Sequence, residues 1–260
     1  MKQLILGSKP GRDNIVRLEG DEYRYLVRVR RIKTGEKFIA ITPNGDETVV
    51  QVLSIYNGVL TGKCSKPFEI KAIYTKIPEI ILFQAMPKSD KMDLIVRQAA
   101  EGGITEIVPF VSEFSVAKTN AEGQKFNRWK RIIKEARQQS GSKTETFVRR
   151  PLTKNELFEY WEIIKPDATG LLFHHEGLEK ESLHGYLNII PKVVVFAIGP
   201  EGGFSNAEVS YFTENGFKPF NIGDTILRTE TAALYCAAAI KILLLERDSW
   251  ELKQMNLNSV

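Results

Sequence analysis

Two regimes of hydrophobic patterning divide the chain. Over residues 1–71 apolar and polar side chains tend to alternate, as in "EKFIAITPNGDETVVQVLSIYNGVLTGKCS". A period of two is the mark of half-buried strands. Breaks at Pro43-Asn44-Gly45-Asp46 and at Asn57-Gly58 are hairpin signals. The segment therefore predicts a small β-barrel or sandwich. One stretch, "YRYLVRVRRIKTGE", interrupts the alternation with one or two helical turns. Tyr25, Val29 and Ile32 fall at i, i+4 and i+7, an apolar stripe, while Arg24, Arg28 and Arg31 repeat that spacing on another face. Read as a strand, the same stretch puts Arg28 and Arg30 on one side. In both readings Arg24, Arg28, Arg30 and Arg31 are presented together, as a phosphate-contacting surface or as a solvated face.

From Pro78 onward the pattern changes. "EIILFQAM", "ITEIVPFV", "ATGLLF" and "KVVVFAI" are short apolar runs of the buried-strand type. Helical segments separate them. "SDKMDLIVRQAAEGG" has Ser89 or Asp90 as its cap and Gly102-Gly103 as its stop. In "KFNRWKRIIKEARQQSG", Trp129, Ile132, Ile133 and Ala136 form the apolar stripe, and Gly141 ends the helix. Thr153 and Glu156 open "TKNELFEYWEII" as a capping box. Strands alternating with helices predict an α/β domain, with a parallel sheet covered on both faces. The boundary falls near Lys71, giving units 1–71 and 72–260. The last helix, "TETAALYCAAAIKILLLERD", is apolar nearly all round from Ala232 to Leu245. It packs either against the sheet and a neighbouring helix or in part against a second subunit. The tail from Arg247 to Val260 is expected to fray.

Charge sharpens the division. Residues 1–71 hold 13 Lys and Arg against 8 Asp and Glu, and the remainder holds 23 against 24, so the whole positive excess lies in the first unit. A basic module beside a near-neutral one suits an anionic partner, nucleic acid first among them, although a charge of this size also serves solubility alone. The N-terminus carries no signal-peptide pattern, and no uncharged run is long enough to span a membrane. Two distant cysteines, Cys64 and Cys236, form no metal pattern and read as reduced thiols of a cytoplasmic protein.

Candidate chemistry sits in the loops after the strands. In "AIGPEGGFSNAEV" a buried strand ends at Ile198, and Ser205 with Glu208 forms a second capping box. Gly199-Pro200-Glu201-Gly202-Gly203 is thus a strand-to-helix turn at the carboxyl end of a parallel strand, where ligands of open α/β sheets bind. Its glycines allow close backbone approach. It matches neither GxGxxG nor GxxxxGK[ST], and a tight turn without a ligand is the plain alternative. A second loop, "NIGDTILRTETAAL", runs through Gly223 into the last helix. There Thr229 can cap and Glu230 favours the positive helix end. Arg228 has no such local task and makes a site for negative charge, unless it forms a surface ion pair with a nearby glutamate. "LLFHHEGLEKESLHG" carries His174, His175 and His184. Their spacing fits no zinc pattern, so they read as solvated loop histidines with no metal.

"IGPEGGFS" followed by "LRTETAAL" resembles the paired C-terminal motifs of the RsmE family, the small-subunit ribosomal RNA uridine-N3 methyltransferases of the SPOUT class. "PKSDKMDLIVRQAAEGGITEIVPF" and "EARQQSG" resemble two further family segments, and the basic N-terminal unit resembles the family's PUA-like RNA-binding barrel. The chain departs from the family pattern in lacking histidines near Tyr23 to Tyr25 and in reading Ala100-Glu101-Gly102-Gly103 where Thr-Glu-Leu-Gly is usual. The resemblance implies a parallel sheet with a C-terminal trefoil knot that holds S-adenosylmethionine, and a homodimer with the last helix near its interface. It implies cofactor contacts at Phe173, His174, Ile198, Gly199, Pro200, Glu201, Gly202, Gly203, Ile222, Gly223, Ile226, Leu227, Thr229, Thr231 and Ala232. The substrate it implies is 16S rRNA, as naked RNA or in the 30S subunit. On the chemistry of that reaction, Arg228 would stabilise charge on the uracil or orient a nearby phosphate, and the proton would go to Glu201, less well to Glu230, or to solvent. A metabolic α/β enzyme unrelated to RNA is a distant alternative that leaves the basic unit unexplained, and two nearer alternatives remain open at this point. One is a SPOUT enzyme acting on another RNA position, such as a ribose 2′-oxygen. The other is an RNA-binding protein without activity, which would predict an eroded cofactor loop.

Overall fold

The computed structural model describes residues 4–11, 13–43, 45–65, 77–115, 123–175, 181–189 and 191–257, with side chains through 246. The segment around Lys71, where the sequence places the domain boundary, lies outside the described residues. The chain forms two compact units, Met1–Ala72 with Lys134–Glu145, and Ile73–Ile133 with Thr146–Val260.

The first unit is one five-stranded sheet rather than two stacked ones, with order β1-β3-β4-β5-β2. Its strands are β1 (Leu4–Ile5), β2 (Ile15–Leu18), β3 (Lys37–Ile41), β4 (Glu47–Tyr56) and β5 (Val59–Ser65). All pairings are antiparallel except β1 with β3. Both expected hairpins form. Asn57 and Gly58 take positive φ, 48° and 78°, as the two-residue turn between β4 and β5 demands. The interrupting segment is helical but not α-helical throughout. After one turn, α1 (Gly20–Tyr23), residues Arg24–Val29 wind as a π-helix, and Arg30 N–H reaches back five residues to Tyr25 O. The wider turn moves the buried stripe. Leu26 and Ile32 enter the core, Tyr25 only packs against it, and Val29 is 69% exposed. The stripe Tyr25–Val29–Ile32 is therefore corrected, because it rested on an α-helical period.

The second unit is a six-stranded sheet, parallel throughout, in the order β11-β9-β10-β6-β7-β8. Its strands are β6 (Glu79–Ala85), β7 (Glu106–Phe110), β8 (Phe147–Val148), β9 (Ala168–Phe173), β10 (Val193–Ile198) and β11 (Lys218–Phe220). The main helices are α2 (Lys91–Gly102), the first part of α3 (Gln124–Ser140), whose residues from Lys134 onward belong to the first unit, α4 (Lys154–Ile164), α6 (Asn206–Glu214), after the single turn α5 (Leu183–Tyr186), and α7 (Thr229–Leu257). Strand side chains alternate between faces. Ile81, Phe83 and Ala85 of β6 and Val195 and Ala197 of β10 join Leu157, Phe158 and Trp161 of α4 and Phe212 of α6 in one core. The intervening positions, among them Leu82 and Gln84, face α2 and α7.

Local signals that start and stop these helices are realised. Both capping boxes close: Thr153 Oγ1 and Ser205 Oγ accept from the Glu156 and Glu208 N–H groups, and each glutamate accepts in return. Gly103 ends α2 in the left-handed region, at φ 75°. Trp129, Ile132, Ile133 and Ala136 of α3 are all buried. Asp90 precedes α2 as its N-cap, but neither its side chain nor that of Ser89 makes a capping hydrogen bond. Helix α7 buries one face only, through Ala232, Ala233, Cys236, Ala237, Ile240 and Leu244. Leu234, Tyr235, Ile242 and Leu245 remain exposed, and the backbone stays helical to Leu257, past Arg247 where the pattern ends. No helix among the described residues is long and apolar enough to cross a membrane.

Candidate active site

A cleft of about 260 Å³ opens at the carboxyl ends of β9 and β10, beside the start of α7. Phe173, His174 and His175 form one wall, residues 198–204 a second, and Ile226, Leu227, Thr229 and Ala232 the third. Three loops far apart in the sequence converge there, since parallel neighbours deliver their carboxyl ends to one edge. Of the expected cofactor residues, Ile222, Gly223 and Thr231 are not in the lining, while His175 and Phe204 are. His174 is 5% exposed and its N–H donates to Phe220 O, so it belongs to the cleft wall and not to a solvated loop. Among the described residues no group of three or more His, Cys, Asp or Glu side chains converges as metal ligands would.

The glycine turn is held from two sides. On the first, Gln84 is fully buried at the end of β6. Its Nε2 donates to Ala85 O (2.9 Å) and to Thr229 Oγ1 (3.0 Å). With its oxygen occupied as an acceptor, the Thr229 hydroxyl donates to Gly199 O at 2.6 Å. Contrary to the expectation from sequence, Thr229 therefore does not cap α7. It is the first residue of the helix, and Arg228 takes the position before it, with Arg228 O accepting from Ala232 N–H. The threonine hydroxyl ties the helix start to the glycine turn instead.

On the second side, the Glu201 carboxylate accepts from Lys88 N–H at 3.1 and 3.2 Å and pairs with Lys91 Nζ at 2.9 Å. Lys91 also reaches Glu230 at 3.3 Å. Burial alone would raise the Glu201 carboxyl. The Lys91 ammonium and the backbone N–H groups of Glu201 and Lys88 outweigh it and hold the group below the usual carboxylate range. The same hydrogen bond to Glu201 raises Lys91 against its partial desolvation, with Glu230 adding to the effect. Glu230 sits in the first turn of α7, the favourable end for an acid.

Gly203 takes φ 70° and nothing lies within 4 Å of where its Cβ would stand, so its backbone faces open space in the cleft. Gly202 has a different reason. A Cβ there would come within 3.1 Å of Phe114 Cβ. The Arg228 side chain is exposed between two lining residues, Leu227 and Thr229, and makes no ion pair among the described residues. Glu201 and Glu230, the glutamates of the two cleft motifs, both pair with Lys91. Arg24, Arg28, Arg30 and Arg31 are all exposed in the first unit, with Arg24 in a long 3.8 Å pair to Asp21.

The supporting residues Gln84, Lys88, Lys91 and Phe114 carry no local motif. Gln84 gave one faint sign, as a polar residue inside an otherwise apolar strand.

A family model described as an RNA methyltransferase domain matches residues 75–241, and one described as an RNA methyltransferase PUA domain matches residues 18–57. The chain is 33% identical over 234 residues to the ribosomal RNA small subunit methyltransferase E of Aquifex aeolicus, covering 88% of this chain and 95% of the relative. It is 30% identical to that of Synechocystis, over 88% of this chain and 73% of the relative. Among solved structures it is similar to a ribosomal RNA small subunit methyltransferase E from Neisseria gonorrhoeae bound to S-adenosyl methionine, with a TM-score of 0.80, 25% identity and 94% and 98% of the two chains covered. With both units matched and the cleft at the edge where such sheets bind ligands, the chain belongs to the ribosomal RNA small subunit methyltransferase E family.

Proposed function

We propose that this protein methylates N3 of a uridine in 16S rRNA, with S-adenosylmethionine as donor and the assembled 30S subunit as the working substrate. The observation that carries the reading is a fixed glycine turn lining one cleft, with an exposed arginine, Arg228, in sequence between the lining residues Leu227 and Thr229 and without an ion pair among the described residues. The cleft fits the cofactor. Peptide groups exposed at Gly199–Gly203 can read an adenine without charged side chains, and Ile198, Leu227 and Ala232 offer it an apolar bed. When bound, S-adenosylmethionine supplies an electrophilic methyl group.

The chain's own residues then have three tasks. The turn is kept rigid through Thr229 and Glu201, so the base meets the methyl group in line, and positioning provides most of the effect. Uracil N3 must lose its proton, and negative charge spreads onto O2 and O4. The Arg228 guanidinium stabilises that charge. Glu201 is the named acceptor for the proton, but its oxygens are already engaged by Lys88 and Lys91. A carboxylate so stabilised is a weaker base, so we assign Glu201 chiefly to holding the turn and pass the N3 proton to solvent water at the open cleft. The exposed arginines of the first unit bind rRNA phosphates.

A homodimer completes this reading. Between α2 and α7 runs a groove of about 260 Å³ lined by Ile95, Ala99, Ala237, Ile242 and Leu245 among others, apolar enough to be buried against a second copy. The trefoil knot and residence in the cytoplasm, where 30S subunits are assembled, belong to the same reading.

The test is labelled-methyl transfer to undermethylated 30S subunits and to naked 16S rRNA, with the product nucleoside identified by mass spectrometry. 3-Methyluridine is expected. A 2′-O-methyl nucleoside, or no transfer to either RNA, would refute the proposal.

A further inference from the structure

Residues 111–115 follow β7 at the same edge of the sheet as the cleft, and they form an unusually well-fastened turn. Val111 N–H donates to Leu152 O at 2.9 Å, and Ser115 N–H to Ser112 O at 3.1 Å. The hydroxyls of Ser112 and Ser115 lie 3.0 Å apart, and Ser112 N–H donates to Ser115 Oγ. Glu113 N–H is bound at 2.9 Å by the buried Glu208 carboxylate. At the tip of this turn stands Phe114, 46% exposed. Its Cβ and ring lie against Gly202, so closely that a Cβ on the glycine would stand 3.4 Å from the ring carbon Cγ. Gly202 lines the cleft on its other side.

A phenylalanine ring on a mobile loop would cover itself against the neighbouring core. Here five backbone or side-chain ties hold the turn that keeps it half in water beside Gly202 of the cleft. We infer that Phe114 is a substrate-binding residue: its ring is a stacking platform for an unstacked base of the RNA delivered to the cleft. The inference rests on the proposed function above, since it presumes that RNA is the substrate. A base that is to be modified at N3 has left its pairing partner and its stack, and the lost stacking is replaced by an aromatic face on the protein. Such a face is indifferent to hydrogen-bond pattern and needs rigidity, which the 111–115 turn provides.

The experiment compares wild type with Phe114→Ala, Phe114→Leu and Phe114→Trp. It reads kcat and KM for undermethylated 30S subunits, S-adenosylmethionine affinity by calorimetry and subunit mass by light scattering. Alanine and leucine are both expected to raise KM by about 10- to 100-fold, and tryptophan to restore it. Cofactor affinity and mass stay at wild-type values. Leucine working as well as phenylalanine would overturn the inference, because apolar bulk without a π face then suffices. A change of mass in the alanine variant would make the ring a subunit contact. Lost cofactor affinity would make it a prop for Gly202. Wild-type protein with no RNA activity would instead refute the proposed function, and this inference with it.

Discussion

Two arginines of the second unit stand in opposite circumstances. Arg149, just after β8, is neutralised: it pairs with Glu106, the first residue of β7, and its guanidinium lies 4.2 Å from the centre of the Tyr160 ring. Tyr160 donates to the same glutamate, and burial together with that acid pushes its phenol up to about 12. Arg228 stands just before α7, exposed and without an ion pair among the described residues, while Glu230 lies in the first turn of that helix and Glu201 in the glycine turn. Both of those acids are engaged by Lys91. A charge whose partners are supplied belongs to the fold. An exposed charge with no ion pair is available to a ligand.

Exchanging the two tests this contrast, and Arg228→Ala should give the largest effect. Methyl transfer to 30S subunits should fall by about 100- to 1000-fold, the usual loss for a group that stabilises developing charge, with unfolding by denaturant unchanged. Arg149→Met should do the reverse. It leaves Glu106 with one partner fewer and should cost about 1–3 kcal/mol of stability while activity of the folded protein persists. Equal losses of activity in both variants would break the comparison.

Next in size is the relay beneath the glycine turn. Thr229→Val keeps the shape and removes the hydroxyl that joins Gly199 O to Gln84. The Gly199 carbonyl then has no fixed direction, and S-adenosylmethionine affinity measured by calorimetry should weaken about tenfold, the effect of one lost hydrogen bond in a covered site. Thr229→Ser should restore it. Unchanged affinity in the valine variant would mean that the turn holds its shape unaided.

The pair Lys91–Glu201 makes a prediction in pH. Glu201 is depressed in the folded protein, so its contribution is present above the ordinary carboxyl value of 4.5 and is lost as pH falls through the lowered one. Lys91 is raised, so its contribution is present below 10.5 and is lost as pH rises through the raised value. Between these limits the pair's contribution to stability, measured by denaturant unfolding across pH, is constant. In Lys91→Met the acid limb should move upward, because burial then acts on Glu201 with less opposition. An acid limb at the wild-type position would show that the backbone N–H groups alone hold the carboxylate.

What the sequence displayed of all this follows from distance along the chain. Capping boxes at Thr153 and Ser205, the Asn57-Gly58 turn and the buried strand runs need only neighbours within a few residues, and they were legible. The cleft loops at Gly199 and Arg228 were legible as motifs. Their supports were not, since Gln84 meets Thr229 across 145 positions and Lys88 meets Glu201 across 113. Nothing local distinguishes Lys91 from any first-turn lysine, or Phe114 from a core phenylalanine. The π-helix at Arg24–Val29 failed for another reason: its period differs from the one used to read it, so Val29 was placed inside and Leu26 overlooked.

The smallest expected effect lies in that same segment and sets the first unit against the second. Arg24, Arg28, Arg30 and Arg31 are exposed, and Arg31 holds φ 54°, turning the chain out of the π-helix. If these residues meet phosphates, each replacement by glutamine should weaken 30S binding modestly. It should also lower the salt dependence of log K by about one per contact removed. Cofactor affinity and the rate at saturating substrate should not move. The measurement is 30S binding across a salt series for Arg28→Gln and for Arg28→Gln with Arg31→Gln. A slope identical to wild type in both would place the phosphate contacts elsewhere and leave these arginines as a solvated face. A slope that falls stepwise would divide the work between the units: the first holds the RNA through charge, and the second acts on the base through geometry.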